Sequence, residues 1–248
     1  MSTERQLVTT DALGHDLSGS GAGDLAAASL AIARRLARGA TLWFAAPSWP
    51  RHAQHLADEF ANPVIVAKRA LPARMVPGDH LWESLRPLAR AGDVLLVVSR
   101  SDEPSLAGLR QQTKAWGVLA VWIGAGSRPE PGSADYVLWV DDDATFYSHG
   151  ERLVLLCHLL WESTHVCLEH PSLLEPEQAA CKDEVCITCS DEGRLGEVVA
   201  IRADGSAQVR TPTGLEMVDM TLVENARPGN LVLIHAGAAL TLLEGSPS

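Results

Sequence analysis

Five short apolar runs punctuate the first two thirds of the chain: Thr41–Ala46, Pro63–Ala67, Asp93–Ser99, Gly117–Gly124 and Tyr136–Asp141. They are nearly continuous in Leu, Val, Ile and Trp, the pattern of strands covered on both faces. The intervening stretches Asp24–Arg38, Arg51–Ala61, Leu81–Arg90 and Ser105–Trp116 carry helical periodicity. In the first, Leu25, Ala28, Ile32 and Leu36 form one stripe, with Asp24 placed to cap the helix. Glu151–Leu168 predicts a last, longer helix, Leu-rich with charge on one side, that packs on the sheet or on a second subunit. Strands alternating with helices predict an α/β fold with a doubly wound, five-stranded parallel sheet.

Periodicity stops at His170–Glu184, where Pro171, Pro176 and acidic residues read as a linker. Beyond it the texture turns to short β-like runs, Gly193–Arg202, Ala207–Arg210, Leu215–Leu222 and Asn230–Leu243. Asp204-Gly205, Pro212-Thr213-Gly214 and Arg227-Pro228-Gly229 separate them. Turns at that spacing predict a small β-barrel. The expected division is residues 1–169 (α/β), 170–185 (linker) and 186–248 (barrel).

Charge narrows the partners. Thirty-one acidic against 20 basic side chains give a formal net charge of −11, a surface that repels phosphate backbones, so nucleic acid is not an expected partner. No apolar run approaches the ~20 residues of a membrane span, and Met1–Asp16 is polar where a secretory signal would be apolar. The expected compartment is the cytoplasm, where thiols stay reduced. Three of the five cysteines, Cys181, Cys186 and Cys189, cluster, which fits metal or redox chemistry better than a disulfide framework.

Cys186-Ile187-Thr188-Cys189 pairs two soft ligands, and His235 stands in an apolar run of the same module. Thiolate and imidazole suit transition metals. Read plainly, the Cys-x-x-Cys is also compatible with half of a structural zinc site, and His235 with a satisfied core residue. The module's ordered motifs are the Cys-Ile start, Val218-Asp-Met-Thr-Leu-Val223 and Pro228-Gly-Asn-Leu-Val-Leu-Ile-His-Ala-Gly237. They resemble the HypC/HupF family of hydrogenase-maturation chaperones. That resemblance implies a β-barrel with a trailing helix that carries an Fe(CN)2CO precursor between a HypD-type scaffold protein and the hydrogenase large-subunit precursor. Cys186 would be the iron-binding thiol, His235 its partner and Cys189 an accessory ligand. The family's cysteine follows the initiator methionine, whereas Cys186 is internal.

The first domain resembles the sugar isomerase (SIS) fold, in particular phosphoheptose isomerases. The match runs through His52-Ala-Gln-His-Leu-Ala-Asp-Glu-Phe60, Asp93-Val-Leu-Leu-Val-Val-Ser99 and a final helix with Glu151 and His158. His55 and Glu59, four apart, share a helix face and could chelate one ion. Their plain alternative is a polar patch at a subunit interface. The resemblance implies a divalent metal such as zinc on His55, Glu59 and His158, proton transfer by Glu151, and a homodimer or tetramer. Gly150 stands where the family has a glutamine ligand, with His149 adjacent. The family's glycine-rich phosphate loop is Ala45-Ala-Pro-Ser-Trp-Pro50 here, and prolines remove amide donors. In the second loop, Ser99-Arg-Ser-Asp-Glu-Pro104, Ser99 and Ser101 remain as phosphate ligands, while Asp102 and Glu103 repel an anion. The seven tryptophans read as packing residues.

Two functions follow as expectations. The first is a [NiFe]-hydrogenase maturation chaperone, not an enzyme in the turnover sense, with the SIS-like part serving dimerisation or small-ligand binding. The second is a metal-dependent isomerase of a sugar phosphate of the sedoheptulose 7-phosphate type.

Overall fold

In the computed structural model, residues 20–66, 68–140, 146–175 and 193–243 are described. Four long buried strands and one short edge strand form the parallel sheet: β1 (Leu42–Ala45), β2 (Ala73–Met75), β3 (Val94–Val98), β4 (Leu119–Ala125) and β5 (Tyr136–Val140), in the order β2-β1-β3-β4-β5. The expected α/β sheet is present. Alternate side chains feed two separate cores, because neighbouring residues on a strand point to opposite faces. Leu42, Phe44, Leu96, Val98, Val121 and Ile123 pack under α1 (Ser20–Ala37), α2 (Pro50–Ala61) and α5 (Phe146–Glu169). Trp43, Leu95, Val97, Trp122 and Trp139 pack on the other face against α3 (Leu81–Leu85) and α4 (Leu109–Trp116). Helices on both faces are the doubly wound arrangement. α5 lies along α1 and the sheet.

Several sequence boundaries shift. Pro63–Ala67 is not a strand over its described residues: Val64 and Val66 are 95% and 93% exposed. An apolar run without a covering layer gains nothing by joining the sheet, and the second strand is Ala73–Met75 instead. α1 begins at Ser20, so Asp24 lies inside the helix rather than capping it. α3 stops at Leu85. The Ser105–Trp116 helix is broken by Gly108 (φ 72), which separates a 3-10 turn at Pro104–Leu106 from α4. A left-handed residue cannot continue a right-handed helix. α5 starts at Phe146, ahead of Glu151. The linker holds a short helix, α6 (Pro171–Leu174).

The C-terminal module is a closed barrel of five strands: β6 (Arg194–Ile201), β7 (Ser206–Thr211), β8 (Gly214–Asp219), β9 (Leu231–His235) and β10 (Ala238–Leu242). The run Asn230–Leu243, expected as one strand, is a hairpin turned at Ala236 (φ 48) and Gly237 (φ 82). Residues 238–242 are strand, so the helix implied to trail the barrel does not begin within the described residues. Val198, Val209, Val218, Val232 and Ile234 fill the interior. Closure removes free sheet edges.

The barrel is docked on the second face of the sheet. Leu231 joins that core. Glu197, 1% exposed, accepts from Arg86 Nε at 2.7 Å and from Trp116 Nε1 at 2.7 Å. The Arg210 guanidinium sits 4.5 Å above the Trp116 ring and donates to the carbonyls of Arg86 and Ala89. Burial pulls the Arg210 pKa below its ordinary value. Glu197, the Trp116 indole and Arg210 thereby all have partners at this junction, as burial requires.

Candidate functional site

α2 opens with Pro50 at its first turn, a position that needs no amide donor. Ala53, Leu56, Ala57 and Phe60 form its buried face, which puts His52, His55 and Glu59 along one flank. α5 is anchored by Leu153, Leu156, Leu160 and Trp161, and it presents His158 to that flank. Three side chains from two helices therefore converge. His55 Nε2 lies 3.4 Å from Glu59 Oε1, His158 Nε2 lies 2.9 Å from the same oxygen, and the two Nε2 atoms are 3.4 Å apart. All three ligand atoms fall within 4.8 Å of one another.

That spacing fits a metal. Bonds of ~2.0–2.1 Å in a tetrahedral site place neighbouring ligand atoms about 3.3–3.4 Å apart. Two imidazole nitrogens and one carboxylate oxygen match the donor set of an open zinc-type site. Glu59 Oε2 is buried without a hydrogen-bond partner among the described residues, an orphan that a cation bound through both carboxylate oxygens would satisfy. Among the described residues this is the one such cluster.

The supporting shell was not read from the sequence. Trp161 Nε1 donates to the Glu59 carbonyl at 3.1 Å, tying α5 to the helix that carries the ligands. Cys157 lies beside the site, its thiol pushed up to about 12 by burial first and by the Glu59 carboxylate second. His52 packs edge-on to Trp49, and its pKa is lowered by burial and then by His55. The available signal was spacing: His52 stands three before His55, and Trp161 three after His158.

A second constellation lies where the strand order reverses, between β1 and β3. In doubly wound sheets ligands bind in the crevice at the carboxyl ends of such strands. Ser48 follows β1 and the buried Ser99 follows β3, and their hydroxyls are 2.8 Å apart. Ser48 also donates to Glu103 Oε2 at 2.9 Å, while Ser105 Oγ donates to Glu103 Oε1 at 2.9 Å. Ser101 is not part of this network; it lines an outer cleft of about 480 Å³ with Asp102, Glu103 and Trp122. Arg100 is held by Asp102 at 2.9 Å, and it keeps that carboxyl below its usual range. Gly124 lets the loop after β3 and the Trp139 ring close in on β4, since a Cβ there would stand 2.3 Å from the Ser99 carbonyl oxygen and from the Trp139 ring.

The remaining sequence candidates are distributed differently. His235 ends β9 at the barrel rim, half-buried, next to the tight turn. Cys181, Cys186 and Cys189 lie outside the described residues, as do the side chains of residues 146–151, Glu151 and His149 among them. Six of the seven tryptophans, Trp43, Trp82, Trp116, Trp122, Trp139 and Trp161, are buried, and Trp49 is half-buried against the first core. Among the described residues, no helix is long and apolar enough to cross a membrane.

No protein-family model matches the chain, and no curated protein matches it. Solved structures similar to it include a phosphoheptose isomerase from Francisella tularensis, at 17% identity and a TM-score of 0.48 over 58% of this chain and 86% of that one. Phosphoheptose isomerase GmhA from Neisseria gonorrhoeae is similar at 18% identity and a TM-score of 0.44, over 59% and 84% of the two chains. The C-terminal domain of a glucosamine-fructose-6-phosphate aminotransferase from Francisella tularensis follows at 16% identity and a TM-score of 0.43, over 60% and 42%. Likeness at this level concerns the architecture of the α/β part and says nothing of its chemistry.

Proposed function

We propose that the α/β domain is a metal-dependent sugar-handling domain of the isomerase type, with one divalent ion held by His55, Glu59 and His158. The observation that carries this reading is the convergence of three ligand atoms at 2.9–3.4 Å from two helices, with the orphaned Glu59 Oε2 beside them. The resemblance of residues 52–60 and of the last helix to phosphoheptose isomerases supplies the substrate class. A bound divalent ion would polarise a carbonyl or hydroxyl oxygen of the sugar. The chain's own part is to fix the ligand helix through Trp161. The test is zinc titration by calorimetry together with aldose–ketose interconversion of sedoheptulose 7-phosphate and of the free ketose. One zinc per chain, lost in His55→Ala and His158→Ala along with turnover, supports the reading. Wild-type protein that takes up no divalent ion ends it.

A second reading attaches to the barrel. Its support is the motif resemblance over residues 186–245 and the closed five-stranded barrel bearing His235 at the end of β9. In this reading Cys186, with Cys189 and His235, carries the Fe(CN)2CO precursor as cargo from a HypD-type scaffold to a hydrogenase large-subunit precursor. Anaerobic pull-down from a hydrogenase-producing cell tests it. Cyanide and carbonyl infrared bands that vanish in Cys186→Ala support carriage. Unchanged hydrogenase maturation in that variant refutes it.

A further inference from the structure

We infer that the crevice between β1 and β3 is selective for the uncharged, hydroxyl-bearing end of a sugar, and that Glu103 is the residue that excludes a phosphate ester from it. The inference rests on the proposed sugar-handling role of the α/β domain and specifies its substrate class.

The position is the one at which a doubly wound sheet receives a ligand. An anion there needs amide donors or cations, and this crevice offers the reverse. Pro47 and Pro50 flank the β1 loop and carry no N–H to donate. The two serine hydroxyls that could turn toward a ligand are 2.8 Å from each other, and Ser48 is fixed on the Glu103 carboxylate at 2.9 Å. Glu103 is held from its other side by Ser105, through the hydroxyl at 2.9 Å and the backbone amide at 3.4 Å. It cannot swing away without giving up those bonds. Arg100, the nearest cation in the loop sequence, is engaged by Asp102, and Glu103 has no ion-pair partner among the described residues. The adjoining cleft of about 480 Å³ adds Asp102 and Glu130 to its lining, so the approach is acidic as well.

The same groups suit a polyol. A carboxylate accepts up to four hydrogen bonds and a serine hydroxyl both donates and accepts, which matches neighbouring sugar hydroxyls. Exchange of the Ser48–Glu103 bond for bonds to ligand hydroxyls keeps every buried polar group satisfied. A phosphate placed within about 4 Å of Glu103 would meet like-charge repulsion large enough to shift affinity by well over tenfold at an effective dielectric near 20.

The experiment measures binding of sedoheptulose and of sedoheptulose 7-phosphate to the full chain by calorimetry, with zinc stoichiometry recorded on the same samples. Wild type is expected to bind the free ketose at least about tenfold more tightly than its phosphate, and Glu103→Gln to reverse that order. Gln keeps the shape and removes the charge: its carbonyl oxygen still accepts from Ser105, while its amide NH2 donates to the Ser48 hydroxyl, which reverses that bond. Ser48→Ala is expected to weaken the ketose without admitting the phosphate. Wild type that prefers the phosphate, binding of neither sugar, or an unchanged preference in folded Glu103→Gln each overturns the inference. Zinc uptake separates these failures from failure of the metal site: one zinc per chain with the wrong sugar preference refutes the selectivity alone.

Discussion

The two faces of the parallel sheet are closed in different ways. The first face is covered by the domain's own helices α1, α2 and α5, and its core holds only side chains of residues 25–168. The second is covered by the short α3 and α4, and the remainder is supplied by the barrel, with Leu231, Leu195 and Leu243 packed against that core. Polar anchors follow the same division. The metal-type cluster lies between two helices of the first face, where Trp161 pins Glu59. The buried Glu197 of the barrel satisfies Arg86 and Trp116 on the second. The chemistry of the first face is thus local to one domain, whereas the second face is complete only when both domains are folded. The barrel is part of the α/β domain's stability and not a tethered passenger.

Removal of Glu197 should have the largest effect. Glu197→Ala leaves a buried indole N–H without an acceptor and Arg86 without its partner, at a cost of about 3 kcal/mol. Calorimetry should show one transition in the wild type and a separated barrel transition in the variant. A single transition in Glu197→Ala with unchanged midpoint would break the comparison. Next is Gly124→Ala. Its Cβ would collide at 2.3 Å with the Ser99 carbonyl and the Trp139 ring, so a loss of about 2 kcal/mol is expected in chemical denaturation. On the first face, Gly23→Ala is the counterpart. It lies inside α1 with nothing within 4 Å of the new Cβ, and a gain of about 0.5–1 kcal/mol is expected in the same assay.

The smallest effect is electrostatic and also belongs to the first face. The His52 pKa is lowered in the folded chain, by burial and then by His55. Between that lowered value and the ordinary value near 6.5 the unfolded chain binds more protons than the folded one. Stability therefore rises with pH across this window and falls as pH drops through it. His52→Gln should flatten that slope in denaturation series between pH 5 and 7, and an unchanged slope would assign it to other groups.

Much of the fold was legible because burial on both faces writes continuous apolar runs. β1, β3, β4 and β5 were found where Leu, Val, Ile and Trp repeat without interruption. The failures have the same cause in reverse. β2 is a three-residue edge strand with Arg74 at its centre and half-exposed positions, so it leaves no apolar signature. Val64-Ile65-Val66 has the signature but is exposed. The β9–β10 turn carries one glycine signal, Gly237, while Ala236 beside it takes a left-handed conformation that glycine or asparagine usually announces. In the site, the four-residue spacing of His55 and Glu59 predicted a shared helix face. The Ser48–Ser99–Glu103 network joins loops 51 positions apart, and no local pattern records which hydroxyl meets which carboxylate.

The sequence by itself determined the element types, the order of an α/β part before a β-barrel, the acidic surface and the residue types available for metal chemistry. All of these are set by side-chain periodicity and composition, which act within a few residues. The tertiary structure decided what lies next to what. It brought His158 to within 2.9 Å of Glu59, turned Glu103 onto Ser48 of the β1–β3 crevice and sealed the second face of the sheet with Glu197. Contacts across such separations are selected by packing and by the need to satisfy buried polar groups, and those are properties of the folded whole.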